Sequence, residues 1–184
     1  ISPAGQVPVL IDGDLAVWDT LAIAEYVAEV YPEKRLWPSD RADRARARSV
    51  CAEMHSGFSA LRTHCLMNIE ASLPEVGARV LREHEDVRSD LARVTEIWSE
   101  LLTAHEGPML FGAFTIADAY FAPVATRVRT YDLPVPAQVS AWIDRLFALP
   151  GVAAWIDDAL AEDDFVAFEE PYRKSPAARK VVQP

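Results

Sequence analysis

Few residues of this chain have side chains that act as nucleophiles, metal ligands or proton carriers. Cys51 and Cys65 fall in one predicted helix, roughly 21 Å apart along its axis at about 1.5 Å per residue, which is too far for a disulfide. Neither has a second cysteine or a histidine at metal-ligand spacing, so we expect two ordinary thiols, buried or half-buried, and no metal site. His55 is able to carry a proton near neutral pH, although a lone histidine beside a core stripe is more often structural.

The adjacent polar residues Asp19 and Thr20 mark the start of a predicted helix. Both are favoured N-cap residues, and apolar residues follow at helical period until a Tyr-Pro sequence ends the pattern. Upstream, the β-rich residues 7–11 and 16–18 flank the turn sequence DGD, which predicts an antiparallel hairpin. Because an isolated hairpin is marginal in water and has a free edge, we expect further residues of the fold to precede residue 1.

After the hairpin and its helix, the sequence predicts helices only. Apolar periodicity places four of them at about residues 41–66, 75–105, 137–149 and 151–160. Another begins at the sequence Thr115-Ile116-Ala117-Asp118, in which the threonine hydroxyl and the aspartate carboxylate can each cap a backbone amide. The residues from 162 onward form a charged tail interrupted by prolines.

Composition excludes several classes of function. The chain has 184 residues, 51% of them hydrophobic, and a formal net charge of −10, which disfavours binding to nucleic acid phosphates. Arginines cluster between residues 41 and 48, but they point around a helix and are best interpreted as a solvated surface. We find no apolar run long enough to cross a bilayer and no secretory signal, so we expect a cytoplasmic protein without a membrane partner.

The segment SPAGQVPVLIDGDLAVWDTLAIAEYVAEVYP resembles the second half of the thioredoxin-like, glutathione-binding domain of cytosolic glutathione S-transferases. In that family a valine-proline strand, a hairpin, an acid followed by a hydroxyl residue, and a helix occur in this order. The later helices resemble the all-α C-terminal domain of the same family, including its Phe-Thr-Ile-Ala-Asp helix start, which stands here at residues 114–118. Residues 53–62 further resemble bacterial members.

The resemblance implies an α/β plus all-α fold. Residues 1–32 would form the C-terminal half of a thioredoxin-like domain and residues 41–161 an all-α domain, followed by a tail at 162–184. It also implies a homodimer, with the helix that begins at residue 41 near the two-fold axis.

A glutathione site is implied as well. Pro8 is expected to follow a cis bond, so that the backbone of Val7 pairs with the cysteinyl unit of glutathione; a trans proline on an edge strand is the alternative. Thr20 and the first-turn amides would bind the γ-glutamyl carboxylate, and Asp19 the ammonium group. Gln6 would donate its side-chain amide to the glycyl end.

The helix from residue 41 carries a candidate second-substrate pocket. Met54, Phe58 and Arg62 lie near the position where family members line a hydrophobic acceptor site. Leu61 and Cys65 continue the same helical stripe, and we expect them to be core residues instead. We also expect Trp18 and the other four tryptophans to be core or packing residues.

The catalytic residue stays unassigned. In this family, the tyrosine, serine or cysteine that acts on the thiol of glutathione precedes the region matched here. Tyrosine or serine favours conjugation, and cysteine favours thiol transfer or reduction. We expect a glutathione S-transferase that conjugates glutathione, its co-substrate, to small hydrophobic electrophiles. A glutathione-dependent isomerase or thiol reductase of the same fold, and a non-catalytic module that docks a protein, are the alternatives.

Overall fold

The fold begins with the predicted hairpin. The structure, a computed structural model, describes residues 2, 4–162, 168 and 170–172. Strands β1 (Val9–Asp12) and β2 (Leu15–Trp18) pair antiparallel with Val9 opposite Trp18, and Gly13 provides the left-handed conformation of the turn (φ 58°). The first strand thus starts two residues later than predicted.

Helix α1 (Thr20–Val30) follows directly and is tied to its surroundings at both ends. Asp19 is its N-cap, as predicted, and accepts a hydrogen bond from the amide of Leu21 at 2.9 Å. The hydroxyl of Tyr26 donates to the carboxylate of Asp12 at 2.6 Å, which fixes the hairpin against the helix. A short 3₁₀ turn, Pro32–Lys34, leads to the helical part of the chain.

The prediction of a single helix at residues 41–66 is wrong. The structure has α2 (Arg41–Ser56) and a short α3 (Ser59–His64), separated by Gly57 in an extended conformation and Phe58 in a left-handed one (φ 56°). The side chain of Phe58 is buried in the core. The ring is thus buried at a break between two helices, and a helical apolar stripe along the sequence does not reveal such a break.

The helix predicted at residues 75–105 is also two helices, α4 (Pro74–Glu83) and α5 (Glu85–Ala104), which meet at an extended His84. The two pack on different partners: α4 lies against α6, whereas α5 lies against α3 and α7. The apolar period continues across the break, so the sequence did not indicate it.

Three further helices complete the described part: α6 (Ile116–Tyr131), α7 (Ala137–Phe147) and α8 (Pro150–Ala161). The predicted capping box at the start of α6 is present. Its Asp118 is fully buried and accepts hydrogen bonds from the amides of Leu110 and Thr115 and from the indole of Trp142.

The hydrophobic core lies in the helical part. Its largest fully buried side chains include Trp98, Trp142, Tyr131 and Phe121, and neither α1 nor α8 contributes a buried residue. No single helix in the described ranges is long and apolar enough to cross a membrane. The pair α7 and α8 reaches the required length and composition together, but its two helices are bent by 72°.

Candidate functional site

The residues predicted to bind glutathione meet around one opening, which we call the first cavity. It has a volume of about 280 Å³ and lies where the hairpin, the N-terminus of α1 and the end of α2 converge. Its lining comprises Ala4, Gln6, Val7, Pro8, Trp18, Asp19, Thr20 and His55. All five residues of the predicted glutathione site are in this set.

The Val7–Pro8 peptide bond is cis, as predicted. Val7 is 91% exposed, and the hairpin ladder begins only at Val9. The backbone of Val7 therefore lies outside the ladder, beside the first cavity. Gln6 also lines the cavity, and its backbone amide donates to the hydroxyl of Ser2 at 3.2 Å.

Asp19 occupies an unusual backbone conformation for a residue with a side chain, with φ 69° and ψ 131°. Conformations of this kind cost on the order of 1–3 kcal/mol and cluster at ligand-binding sites. One carboxylate oxygen caps α1 through the amide of Leu21. The other lies 3.1 Å from Nε2 of His55, so a single side chain joins the start of α1 to the end of α2.

His55 connects the two residues that begin α1. In addition to its contact with Asp19, its Nδ1 lies 3.4 Å from the hydroxyl of Thr20. The sequence presented His55 as a lone histidine, because its partners precede it by 35 and 36 positions. The structure places it in the lining of the first cavity, where it positions the carboxylate of Asp19 and the hydroxyl of Thr20.

A second cavity of about 490 Å³ adjoins the first and shares Thr20 and His55 with it. The full lining is Thr20, Met54, His55, Arg62, Met67, Ala119, Tyr120, Pro123 and Arg127. Met54 and Arg62, predicted to line a second-substrate pocket, are both present. Two adjoining cavities with a common wall can hold two molecules whose reacting groups meet at that wall.

Two sequence-based expectations are corrected at this site. Phe58, predicted to line the second-substrate pocket, is 6% exposed and contributes to the lining of neither cavity. Trp18, expected to be a packing residue, is 44% exposed and lines the first cavity. Phe58 lies outside the pocket because α2 ends before this residue and the ring packs in the hydrophobic core.

Helix α6 supplies lining residues that the sequence analysis missed. Tyr120, Pro123 and Arg127 follow one another at i, i+3 and i+7, a spacing that places them on one face of a helix and that would have indicated a shared surface. The hydroxyl of Tyr120 is buried without a well-formed hydrogen bond to any described residue. Burial raises its pKa, an effect that the adjacent Thr20 hydroxyl partly offsets.

Neither cysteine lines these cavities. Cys51 and Cys65 are fully buried, as predicted, and burial raises the pKa of Cys51 to about 12 and that of Cys65 to about 11. A buried thiol of this kind is a poor nucleophile, because the thiolate is the reactive form.

One group of side chains in the described part brings potential metal ligands together. The ligand atoms of His64, His84 and Asp86 lie within 4.8 Å of one another, and the two imidazole rings stack with centroids 3.7 Å apart. None of these residues lines either cavity. The sequence analysis did not find the group because His64 ends α3, whereas His84 and Asp86 lie about twenty positions later, at the junction of α4 and α5.

The sequence of this chain matches the models of a known protein family. The family model described as Glutathione S-transferase, C-terminal domain, matches residues 42–158, and the corresponding N-terminal domain model matches residues 1–29. The first match spans more than half of the chain, so this chain belongs to the glutathione S-transferase family. The predicted fold class, part of a thioredoxin-like domain followed by an all-α domain, is thereby confirmed.

Individual relatives agree with this assignment. Glutathione S-transferase 1 of Dianthus caryophyllus is 30% identical over 125 residues, which cover 67% of this chain and 54% of that protein. A probable maleylacetoacetate isomerase of Vibrio cholerae is 42% identical over 59 residues, 30% of this chain and 27% of that protein. A Burkholderia glutathione transferase homologue, solved with bound glutathione, superposes with a TM-score of 0.63 at 28% identity, covering 83% of this chain and 72% of that one. The chain thus spans about half the length of the Dianthus protein.

Proposed function

We propose that this protein is a glutathione transferase that binds glutathione in the first cavity and a small hydrophobic electrophile in the second. The observation that carries the proposal is the common wall: Thr20 and His55 line both cavities, so a thiol in one is adjacent to an acceptor in the other. Bringing two reactants together in this way removes much of the entropic barrier to a bimolecular reaction.

The N-terminus of α1 is suited to the γ-glutamyl end of glutathione. Its positive dipole end favours a carboxylate, which the hydroxyl of Thr20 can also bind. Asp19 offers a negative charge to the ammonium group, and His55 holds that carboxylate in place at 3.1 Å. The backbone of Val7, outside the hairpin ladder, would pair with the cysteinyl unit, and Gln6 would bind the glycyl end.

The proposed reaction is conjugation, in which the sulfur of glutathione forms a bond to a carbon of the electrophile. The thiol gives its proton to solvent water, the thiolate forms a bond to an electrophilic carbon of the second substrate, and a leaving group departs with the electron pair of the bond that breaks. None of the described residues is assigned to stabilise the thiolate. What these residues contribute is binding and orientation on both sides of the common wall.

A charge-removing variant with a matched control tests the proposed glutathione site. Asp19→Asn keeps an oxygen that can cap α1 but removes the charge, and Asp40→Asn does the same at the N-cap of α2, outside both cavities. We expect Asp19→Asn to raise the Kd for glutathione about tenfold or more, the effect of losing a charge-assisted contact. Asp40→Asn should leave it unchanged.

Isothermal titration calorimetry measures both affinities. The proposal fails if the unaltered protein does not bind glutathione, which is the result expected of a module that only docks proteins. It also fails if Asp19→Asn binds glutathione as tightly as the unaltered protein does.

The similarity to a maleylacetoacetate isomerase favours a second candidate, glutathione-dependent isomerisation. In that reaction the thiolate adds to a double bond, the resulting single bond rotates, and the thiolate leaves again. Glutathione is then regenerated instead of consumed. Measuring free thiol during turnover separates the two reactions, because only conjugation depletes it.

A further inference from the structure

The second cavity has an unusual charge for a protein this acidic. The chain carries a formal net charge of −10, yet the lining of this cavity contains two arginines, Arg62 and Arg127, and no aspartate or glutamate. The remaining lining is largely apolar, with Met54, Met67 and Pro123. An apolar cavity with a positive wall favours a ligand that has an apolar body and an anionic group.

Arg62 is held in position by main-chain carbonyls. Its Nη2 donates to the carbonyl oxygen of Met54 and, at 3.4 Å, to that of His55, and it lies 3.7 Å from the sulfur of Met54. These contacts fix the side chain without neutralising it. Arg62 has no carboxylate partner among the described residues, in contrast to Arg46, Arg48, Arg82 and Arg93.

The contacts of Arg62 leave some of its guanidinium donors available. All its hydrogen bonds to described residues leave from Nη2, so the N–H groups of Nε and Nη1 have no partner among those residues. Nε and Nη1 face opposite sides of the guanidinium, and each can donate a charge-assisted hydrogen bond to a carboxylate oxygen. The side chain is only half-buried, so a ligand can reach it.

We propose that the second cavity selects electrophiles that carry a carboxylate, and that Arg62 binds this carboxylate. The proposal rests on the proposed function, since it assigns the class of the second substrate. Arg62 contacts the carbonyl of His55, a residue of the common wall, so the carboxylate would sit close to the glutathione side of the cavity.

Two conjugates that differ only in charge test the proposal: S-(4-carboxybenzyl)glutathione and S-(4-carbamoylbenzyl)glutathione. The amide replaces the carboxylate with a neutral group of the same shape, and both compounds carry the same glutathione moiety. By calorimetry, we expect the unaltered protein to bind the carboxylate conjugate about tenfold or more tightly. Equal binding of the two conjugates would overturn the proposal and leave the proposed function standing. Binding of neither would overturn both.

Substitutions then test the residue. Arg62→Gln should abolish the preference by weakening the carboxylate conjugate alone. Arg62→Lys keeps the charge but loses the guanidinium contacts that hold the side chain in position, so it should retain a smaller preference. Arg88→Gln is the matched control, because Arg88 also donates to main-chain carbonyls at a helix junction but lies outside both cavities. If Arg62→Gln does not fold, Arg62→Lys decides. A preference that either folded variant keeps in full would show that another group binds the carboxylate.

Discussion

At the scale of single residues, the burial of a side chain decides whether its chemistry is available. Asp19 and His55 are each close to half exposed and meet at the mouth of the first cavity, where they can act on a ligand. The two cysteines carry more reactive side chains but are fully enclosed by the core. From residue type alone, the two cysteines would have been expected to be more reactive than Asp19 and His55.

The buried thiols should resist alkylation. Because burial raises the pKa of Cys51 to about 12 and of Cys65 to about 11, both stay protonated at about pH 8. We expect iodoacetamide to leave the folded protein unlabelled and to label both cysteines in concentrated urea, as measured by intact mass. Rapid labelling of either thiol in the folded protein would contradict this expectation.

The same raised pKa values make the free energy of unfolding depend on pH. Above about pH 8.5, the usual pKa of a free cysteine, the unfolded chain releases thiol protons that the folded chain retains. The contribution of each thiol to the free energy of unfolding should therefore fall as pH rises from there toward about 11 for Cys65 and about 12 for Cys51.

At the scale of elements, close packing between helices depends on where a side chain is missing. Gly77 on α4 lies against the end of α6, and a Cβ atom built at this position would be 1.9 Å from the carbonyl oxygen of Tyr131. Gly151, near the start of α8, has nothing within 4 Å of the equivalent atom. The two glycines therefore differ in what an added methyl group would meet.

Gly77→Ala should lower the free energy of unfolding by about 1–3 kcal/mol or more, because backbone atoms must move to relieve the clash. Gly151→Ala is the control and should be neutral or stabilising by up to about 1 kcal/mol, the ordinary gain of alanine over glycine in a helix. Urea denaturation measures both. Equal stability of the two variants would show that α4 and α6 can move apart at no cost.

At the scale of the whole molecule, the hairpin and α1 are attached to a core that lies elsewhere. Among the described residues, six large apolar side chains of this region are well exposed: Val7, Ile11, Leu15, Trp18, Val30 and Tyr31. Glu25 and Arg48 form a paired contact, at 2.6 and 2.8 Å, that joins α1 to α2. An exposed ion pair of this kind contributes only about 0–1 kcal/mol, so apolar contacts must supply most of the attachment.

Light scattering tests the expected homodimer, for which a mass twice the 20.4 kDa of this chain is predicted. The exposed face of α2, expected near the two-fold axis, carries the small residues Ala42, Ala45, Ser49 and Ala52. Ala45→Glu should shift the protein toward the monomer by placing a charge in that interface. Ala92→Glu, on the exposed face of α5, should not. A monomeric mass for the unaltered chain would contradict the prediction.

The sequence by itself determined the features that depend on neighbours along the chain. The hairpin, the Asp19 cap and the capping box at Thr115 all follow from residue types a few positions apart. Their order along the chain was sufficient to recognise the family and to name five of the eight residues that line the first cavity. Such features are predictable because their hydrogen bonds join residues a few positions apart.

Only the tertiary structure decided what distant segments do together. It broke two predicted helices, at Gly57 and at His84, because each half packs against a different partner. It buried Phe58 and placed His55 beside Asp19. It also placed Arg127 in the wall of the second cavity. These outcomes depend on which helix faces meet in three dimensions, and periodicity along one helix does not contain that information.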